Sequence, residues 1–173
     1  MAARELWIRS PIGRLCLFAD GDALVGLFME GQLPSVTSAA TARRRDPLLN
    51  EASRQLDAWF AGERTTFDLP LRPKGTPFQI ATWTTLGEIP YGETRSYRQI
   101  AARLGRPEAV RAVGAAIGRN PIAIIVPCHR VIGSSGALTG YAGGIDRKRW
   151  LLGHERGVAA RSGQSSGAGA PGR

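Results

Sequence analysis

Between Thr76 and Pro121 the chain is punctuated so closely that few folds accommodate it. Thr76-Pro77-Phe78-Gln79 sets a capping threonine three residues before a glutamine, with proline in the first turn, which opens a helix to about Leu86. Ser96-Tyr97-Arg98-Gln99 repeats the capping box and opens a second helix that closes at Leu104-Gly105. Arg106-Pro107-Glu108 starts a third helix, which must stop before Asn120-Pro121 because the residue preceding proline is driven out of the α region. Two short helices around a glycine-containing turn form a helix-turn-helix pattern, with the second helix predicted over 107–119.

The flanking segments follow other periods. Arg4 to Arg9, Arg14 to Ala19 and Ala23 to Met29 are short runs rich in Leu, Ile, Val, Phe and Trp, broken by Ser10-Pro11-Ile12-Gly13 and Asp20-Gly21-Asp22. They predict a β-meander. Residues 31–46 lack periodicity and read as a mobile loop, and Pro47 to Gly62 carries an apolar stripe at helical spacing. A linker over 63–75 places a boundary near Arg72. Ile122 to Val126 reads as a buried extended run leading into Pro127-Cys128-His129-Arg130, and residues 133–144 as a Gly/Ser-rich loop. Asp146 caps a last helix through Leu152, and the low-complexity end reads as a disordered tail. The expected organisation is an α+β chain: an antiparallel-sheet plus helix domain over 1–72, a mainly helical domain over 73–158, and a tail over 159–173.

Charge divides at the same place. Residues 1–70 carry a net −1, whereas residues 71–173 carry +10 of the chain's total +9. Such a basic half suits a polyanionic partner. On the second helix of the pair, Val110, Val113, Gly114 and Ile117 share one face, while Arg111, Ala115 and Gly118 share the next. A helix face of small residues approaches a groove closely, and one long cation on it can enter a duplex. A solvated helix arginine is the alternative reading.

Cys128 is the candidate nucleophile. A thiol needs a base or positive group to lower its pKa from about 8.5, and a third group to orient that base. His129 follows it directly, and Glu155, one of five acidic residues in the second half, is the candidate orienting group. On extended chain, neighbouring side chains diverge, so a bend or a water has to connect Cys128 to His129. A small core thiol remains the alternative for Cys128, as it is the reading for Cys16 in the meander.

The segment Ile124-Ile125-Val126-Pro127-Cys128-His129-Arg130-Val131 resembles the active-site segment of the O6-alkylguanine-DNA alkyltransferases, also called methylated-DNA–protein-cysteine methyltransferases. The likeness runs from about Gly75 to Gly157 through Ile89-Pro90-Tyr91-Gly92-Glu93-Thr94, Arg111-Ala112-Val113-Gly114, Asn120-Pro121, Gly140-Tyr141 and His154-Glu155. It implies a ribonuclease-H-like N-terminal domain and a DNA-binding C-terminal one that approaches duplex DNA through the minor groove and flips an O6-alkylguanine into the protein. Cys128 would accept the alkyl group, His129 would activate it through a water, and Glu155 would orient the histidine. Arg111 would fill the vacated stack; Arg98 and Arg106, which flank the turn of the helix pair, are the candidate phosphate contacts from the charge argument. Tyr97, read as an unpaired hydroxyl held dry against the base, would turn the nucleotide and donate a proton. Asn120 would be the hinge to the recognition helix, and Ser134, Tyr141 and the backbones of Val131 and Ala142 would line the base pocket. The thioether product would end activity after one turnover, on O6-alkylguanine and also on O4-methylthymine.

Two cysteines and two histidines, both histidines in the second half, imply no structural metal, and the chemistry needs no cofactor. No run approaches the ~18 apolar residues of a membrane span, and with only two cysteines a reducing cytoplasmic setting is expected; a monomer is expected as well, with cooperation between copies along DNA left open. Cys128 argues against the alkyltransferase-like proteins that replace the acceptor cysteine. A DNA-binding protein without transfer and a Cys-His-Glu hydrolase are the competing readings.

Overall fold

The computed structural model describes residues 3–33, 40–41 and 46–165. β1 (Arg4–Ser10), β2 (Gly13–Asp20) and β3 (Ala23–Met29) form the expected meander, with Arg4 opposite Ala19 and Ser10 opposite Gly13 in the first hairpin. Two-residue connections hold both hairpins. In the second, Gly21 takes φ 60°, the left-handed geometry that matches the twist of the flanking strands. A two-residue strand, β4 (Ala40–Thr41), pairs parallel with β1 and completes the order β3-β2-β1-β4. Within the segment read as a mobile loop, 34–39 and 42–45 lie outside the described residues. Cys16 is fully buried, as its place in the meander implied.

α1 (Pro47–Phe60) lays Leu49, Ala52, Leu56 and Trp59 on the sheet, and its cap Asp46 accepts from the Leu49 amide at 3.0 Å while pairing with Arg4. The segment after α1 is a tied strap rather than a free linker. Buried Gln55 donates to the Asp68 carbonyl at 2.9 Å and accepts from its amide at 2.8 Å, and Pro70 to Arg72 run alongside β3, bonded to Leu24 at 2.8 and 2.9 Å. β3 also receives Leu27-to-Pro121 and Ala123-to-Leu27 hydrogen bonds of 2.9 and 3.1 Å, so the sheet edge holds the segment that leads to Cys128. One apolar core spans both halves.

α2 (Pro77–Gly87) and α3 (Tyr97–Arg103) begin on complete capping boxes at Thr76 and Ser96. α4 (Val110–Gly118) starts three residues later than predicted. Ala109 is its cap and offers no side-chain acceptor, so the proline turn at Pro107 stays outside the helix. Trp83 of α2 donates to the Ala116 carbonyl at 2.8 Å and fixes α4 against α2.

Two further expectations are corrected. Ile122 to Val126 is buried, Ile125 partly so, but it is a chain of turns rather than an extended run. Ile124 has φ 69°, alone among non-glycine described residues, and the Ile125 amide reaches back to the Ala123 carbonyl at 2.8 Å. A β-branched residue held there costs about 1–3 kcal/mol, a strain that concentrates at functional sites. The last helix, α5 (Ile145–Ser165), runs well past Leu152, so Glu155 lies inside it and the first residues of the presumed tail are helical; 166–173 lie outside the described residues.

Candidate active site

The turns over 122–127 deliver Cys128, His129 and Arg130 as a single 3-10 turn, all three buried. A second tight turn, with the Cys128 amide on the Val126 carbonyl at 2.8 Å, bends the chain at Pro127. The chain therefore bends through the Cys-His pair instead of running extended. After it, β6 (Val131–Ile132) pairs parallel with β5 (Arg95–Ser96), which sets the start of α3, and so Tyr97, beside the cysteine turn.

Behind the turn, α5 presents Lys148, Leu151, Leu152, Glu155 and Val158 on one buried face. His129 Nε2 lies 2.7 Å from Glu155 Oε1. Arg130 donates from Nε to both Glu155 oxygens at 3.0 and 2.9 Å and from Nη2 to Oε1 at 2.8 Å, and the Gly92 amide donates to Oε2 at 3.1 Å. Burial pushes the Glu155 carboxyl upward, but the hydrogen bonds from His129 and Arg130 outweigh it and bring its pKa down to about 2. The carboxylate is thus a pure acceptor, and Nε2 of His129 carries the proton. Burial lowers the pKa of His129, with Arg130 and Lys148 adding to burial against the pull of Glu155, so the ring is neutral. Its Nδ1 is buried and has no hydrogen-bond partner. A buried lone pair with nothing to accept is a base awaiting a proton.

In front of the turn a cavity of about 320 Å³ reaches Cys128. Its wall includes Leu27 from β3, Ile117, Gly118, Arg119 and Asn120 from the end of α4, and Gly140 to Gly143 from the glycine-rich loop. Asn120 accepts from the Ile122 amide at 3.0 Å and donates to the Val126 carbonyl at 2.9 Å, two residues before Cys128, so one side chain ties the end of α4 to the cysteine turn. Burial raises the thiol's pKa, and Asn120 and the charge of Lys148 oppose that only in part. The resting group is the thiol. Tyr141 lies beside it, and its buried hydroxyl makes no hydrogen bond of acceptable geometry.

The remaining candidates divide. Ala142 lines the cavity, but Ser134 is exposed on the loop and does not. Val131 is buried behind the cysteine turn, its carbonyl taken by Lys148 Nζ at 2.5 Å. Tyr97 does not offer an unpaired hydroxyl, because it donates to the Thr139 carbonyl at 3.0 Å; the unpaired, dry hydroxyl is that of Tyr141. Arg98 is exposed in the first turn of α3, and Arg106 is exposed with its guanidinium 5.6 Å from the Phe78 ring. Arg111 is exposed on α4 with Ala112, Ala115 and Gly118, the small-residue face that the sequence implied. Gly118 belongs both to that face and to the cavity wall.

Sequence reasoning missed Arg130 and Lys148 as parts of the site. Arg130 stood within the quoted motif, but nothing local reveals that it shares Glu155 with His129. Lys148 is fully buried, its ammonium bonded to the Val131 carbonyl and, at 3.3 Å, to that of Thr139, between the rings of Tyr97 and Tyr141. Among the described residues no three His, Cys, Asp or Glu side chains gather as a metal set, and no helix is long and apolar enough to cross a membrane.

Comparisons with known proteins agree with this geometry. Residues 77–157 match the family model described as 6-O-methylguanine DNA methyltransferase, DNA binding domain, and residues 4–73 match its ribonuclease-like domain. A methylated-DNA–protein-cysteine methyltransferase of Methanosarcina acetivorans is 53% identical over 144 residues, covering 83% of this chain and 92% of that protein. The crystal structure of Mycobacterium tuberculosis O6-methylguanine methyltransferase superposes with a TM-score of 0.82 at 53% identity, over 90% of this chain and 94% of that one. The Mycobacterium tuberculosis OGT solved in complex with DNA gives 0.82 at 52%, over 91% and 94%. With two family models over most of its length and relatives above half identity, the chain belongs to the 6-O-methylguanine DNA methyltransferase family, the methylated-DNA–protein-cysteine methyltransferases.

Proposed function

We propose that this chain repairs DNA by direct reversal, moving the alkyl group of O6-alkylguanine in duplex DNA to Sγ of Cys128. The observation that carries the reading is the cavity: it ends on Cys128, opens beside the exposed small-residue face of α4, and is backed by a neutral His129 with a free Nδ1. The thiol passes its proton through a water to Nδ1, and Sγ attacks the alkyl carbon. The C–O bond breaks with its electron pair moving onto guanine O6. Proton donation to the ring makes guanine a better leaving group, and Tyr97 supplies it by exchanging the Thr139 carbonyl for the base. Asn120 couples α4 to the cysteine, and Tyr141 with Ala142 bounds the flipped base. The thioether is not hydrolysed, so each molecule turns over once. O4-methylthymine has the same O-alkyl group and is a second substrate.

In this reading residues 73–158 bind DNA through the minor groove as a monomer, α3 and α4 acting as a helix-turn-helix, while residues 1–72 buttress the site through β3. The direct test is the intact mass of the protein after incubation with an O6-methylguanine duplex. One methyl group gained, located on the Cys128 peptide, supports it; lesion-dependent binding with no gain in mass identifies a binding protein without transfer. Affinity should fall steeply with salt and depend little on sequence, the log–log slope easing by about 0.9 for each phosphate contact removed. Arg98→Ala and Arg106→Ala are each expected to ease it by one such step, and an affinity indifferent to salt would count against an electrostatic interface.

A further inference from the structure

Two cationic candidates compete for one carboxylate in this site. Glu155 takes the Nε2–H of His129 at 2.7 Å, yet most of its lone pairs are spent on Arg130, whose remaining Nη1 donates to the Ile89 carbonyl at 2.7 Å. Arg130 is 7% exposed, and Glu155 and His129 are wholly buried. A carboxylate facing an imidazole alone would draw a proton onto the ring and make an ion pair. With the guanidinium already neutralising the carboxylate, a proton on His129 would leave a net positive charge in a buried site.

The other groups around His129 reinforce this. From α5 come Glu155 and the ammonium of Lys148; from the turn itself, Arg130 and Cys128; from the segment before β5, Tyr91, with Arg130 over its ring at 5.5 Å. From α1, Trp59 packs its ring 6.3 Å from that of His129, with His154 on its other contacts. Both cations oppose protonation of the ring and only the carboxylate favours it. Arg130 is the cation in contact with that carboxylate.

We propose that Arg130 is a positioning residue that occupies the charge of Glu155, holds His129 as the neutral Nε2–H tautomer through physiological pH, and thereby sets the acid limit of alkyl transfer. The proposal rests on the reading of His129 as the base. Without Arg130, the unneutralised charge of Glu155 would raise the basicity of His129, so that Nδ1 takes a proton from solvent, loses its lone pair, and shuts the reaction off until the ring gives that proton up at higher pH.

Ring ¹⁵N signals of the unsubstituted protein are the first measurement. Between about pH 5 and 8, His129 should stay neutral with its proton on Nε2; an imidazolium at neutral pH overturns the proposal. Single-turnover transfer against pH is the second. Arg130→Met should move the acid limb upward by about 1 to 3 pH units, with the rate recovering on the alkaline side. Arg130→Lys, which keeps the charge, should leave the limb near its original place. Arg130→Met with Glu155→Gln removes both charges and should bring the limb back down, so it decides the matter even if Arg130→Met alone does not fold. A loss by the same factor at every pH in these variants would mean a merely structural arginine. Unsubstituted protein that takes no alkyl group at any pH counts against the transfer reading itself, and the ring signals then still decide whether Arg130 keeps His129 neutral.

Discussion

Cys128→Ser takes no alkyl group from an O6-methylguanine duplex, while its affinity for the same duplex stays within a few-fold of the unsubstituted protein. The separation follows from where the two functions lie. The exposed cations Arg98 of α3 and Arg111 of α4 sit outside the cavity, and the thiol sits in its wall. Burial already raises the thiol's pKa, so the proposed transfer needs His129 to remove the proton at the moment of attack. A serine hydroxyl holds its proton far more tightly, and an alkoxide in the same buried place has only Asn120 and the charge of Lys148 to support it. The fold survives the change, since Asn120 is within reach of the new hydroxyl and a satisfied polar group costs about 1 kcal/mol or less.

Cys16→Ser is the matching control. Cys16 is fully buried on β2, its thiol pushed up to about 12 by burial first and by Glu5 next. It should transfer normally once folded, while losing about 1–3 kcal/mol of stability for a buried hydroxyl. Transfer by Cys128→Ser near the unsubstituted rate, or a folded Cys16→Ser that is inactive, would mean that the two cysteines had been assigned the wrong way round. Intact mass and single-turnover kinetics decide between them.

What was legible in the sequence was whatever local chemistry dictates. The meander and the starts of α2 and α3 are written in turn residues and capping boxes, and those elements lie where the residues placed them. α5 was cut short because its buried face carries Lys148 and Glu155 among its leucines, and because Gly153 and Gly157 interrupt it. A stripe that contains charges at buried positions looks like a solvated face. The turns at Ile124 escaped for a related reason. Ile-Ile-Val carries β-propensity, and only the tie to β3 and the demand of the cysteine turn override it. The pairing of His129 with Glu155 was legible as a shortage of acids, whereas the claim of Arg130 on the same carboxylate and the unpaired hydroxyl of Tyr141 belong to three-dimensional packing. No spacing along the chain encodes them.

Arg111→Ala slows repair in duplex DNA by about 10- to 100-fold while transfer from the free base O6-benzylguanine stays near the unsubstituted rate. Arg111 is exposed and, among the described residues, its side chain makes no ion pair or hydrogen bond within the protein. Its neighbours on α4 are Ala112, Ala115 and Gly118, and nothing lies within 4 Å of a side chain built at Gly118. The helix can therefore come close to a groove with the guanidinium as its longest projection. Extruding a base costs a few kcal/mol, and a side chain that fills the vacated stack returns part of it, which sets the expected size of the effect. Alanine is the best helix former, so α4 itself should not suffer. The free base needs no extrusion, and on the proposed reading it enters the same cavity and reacts at the same Cys128. If Arg111 held only a phosphate, saturating protein would restore the duplex rate, because a binding defect vanishes when every duplex is occupied. Single-turnover transfer at saturating protein on both substrates separates the two cases. Full recovery on the duplex, or equal slowing on both substrates, would show that Arg111 does not hold the flipped state open.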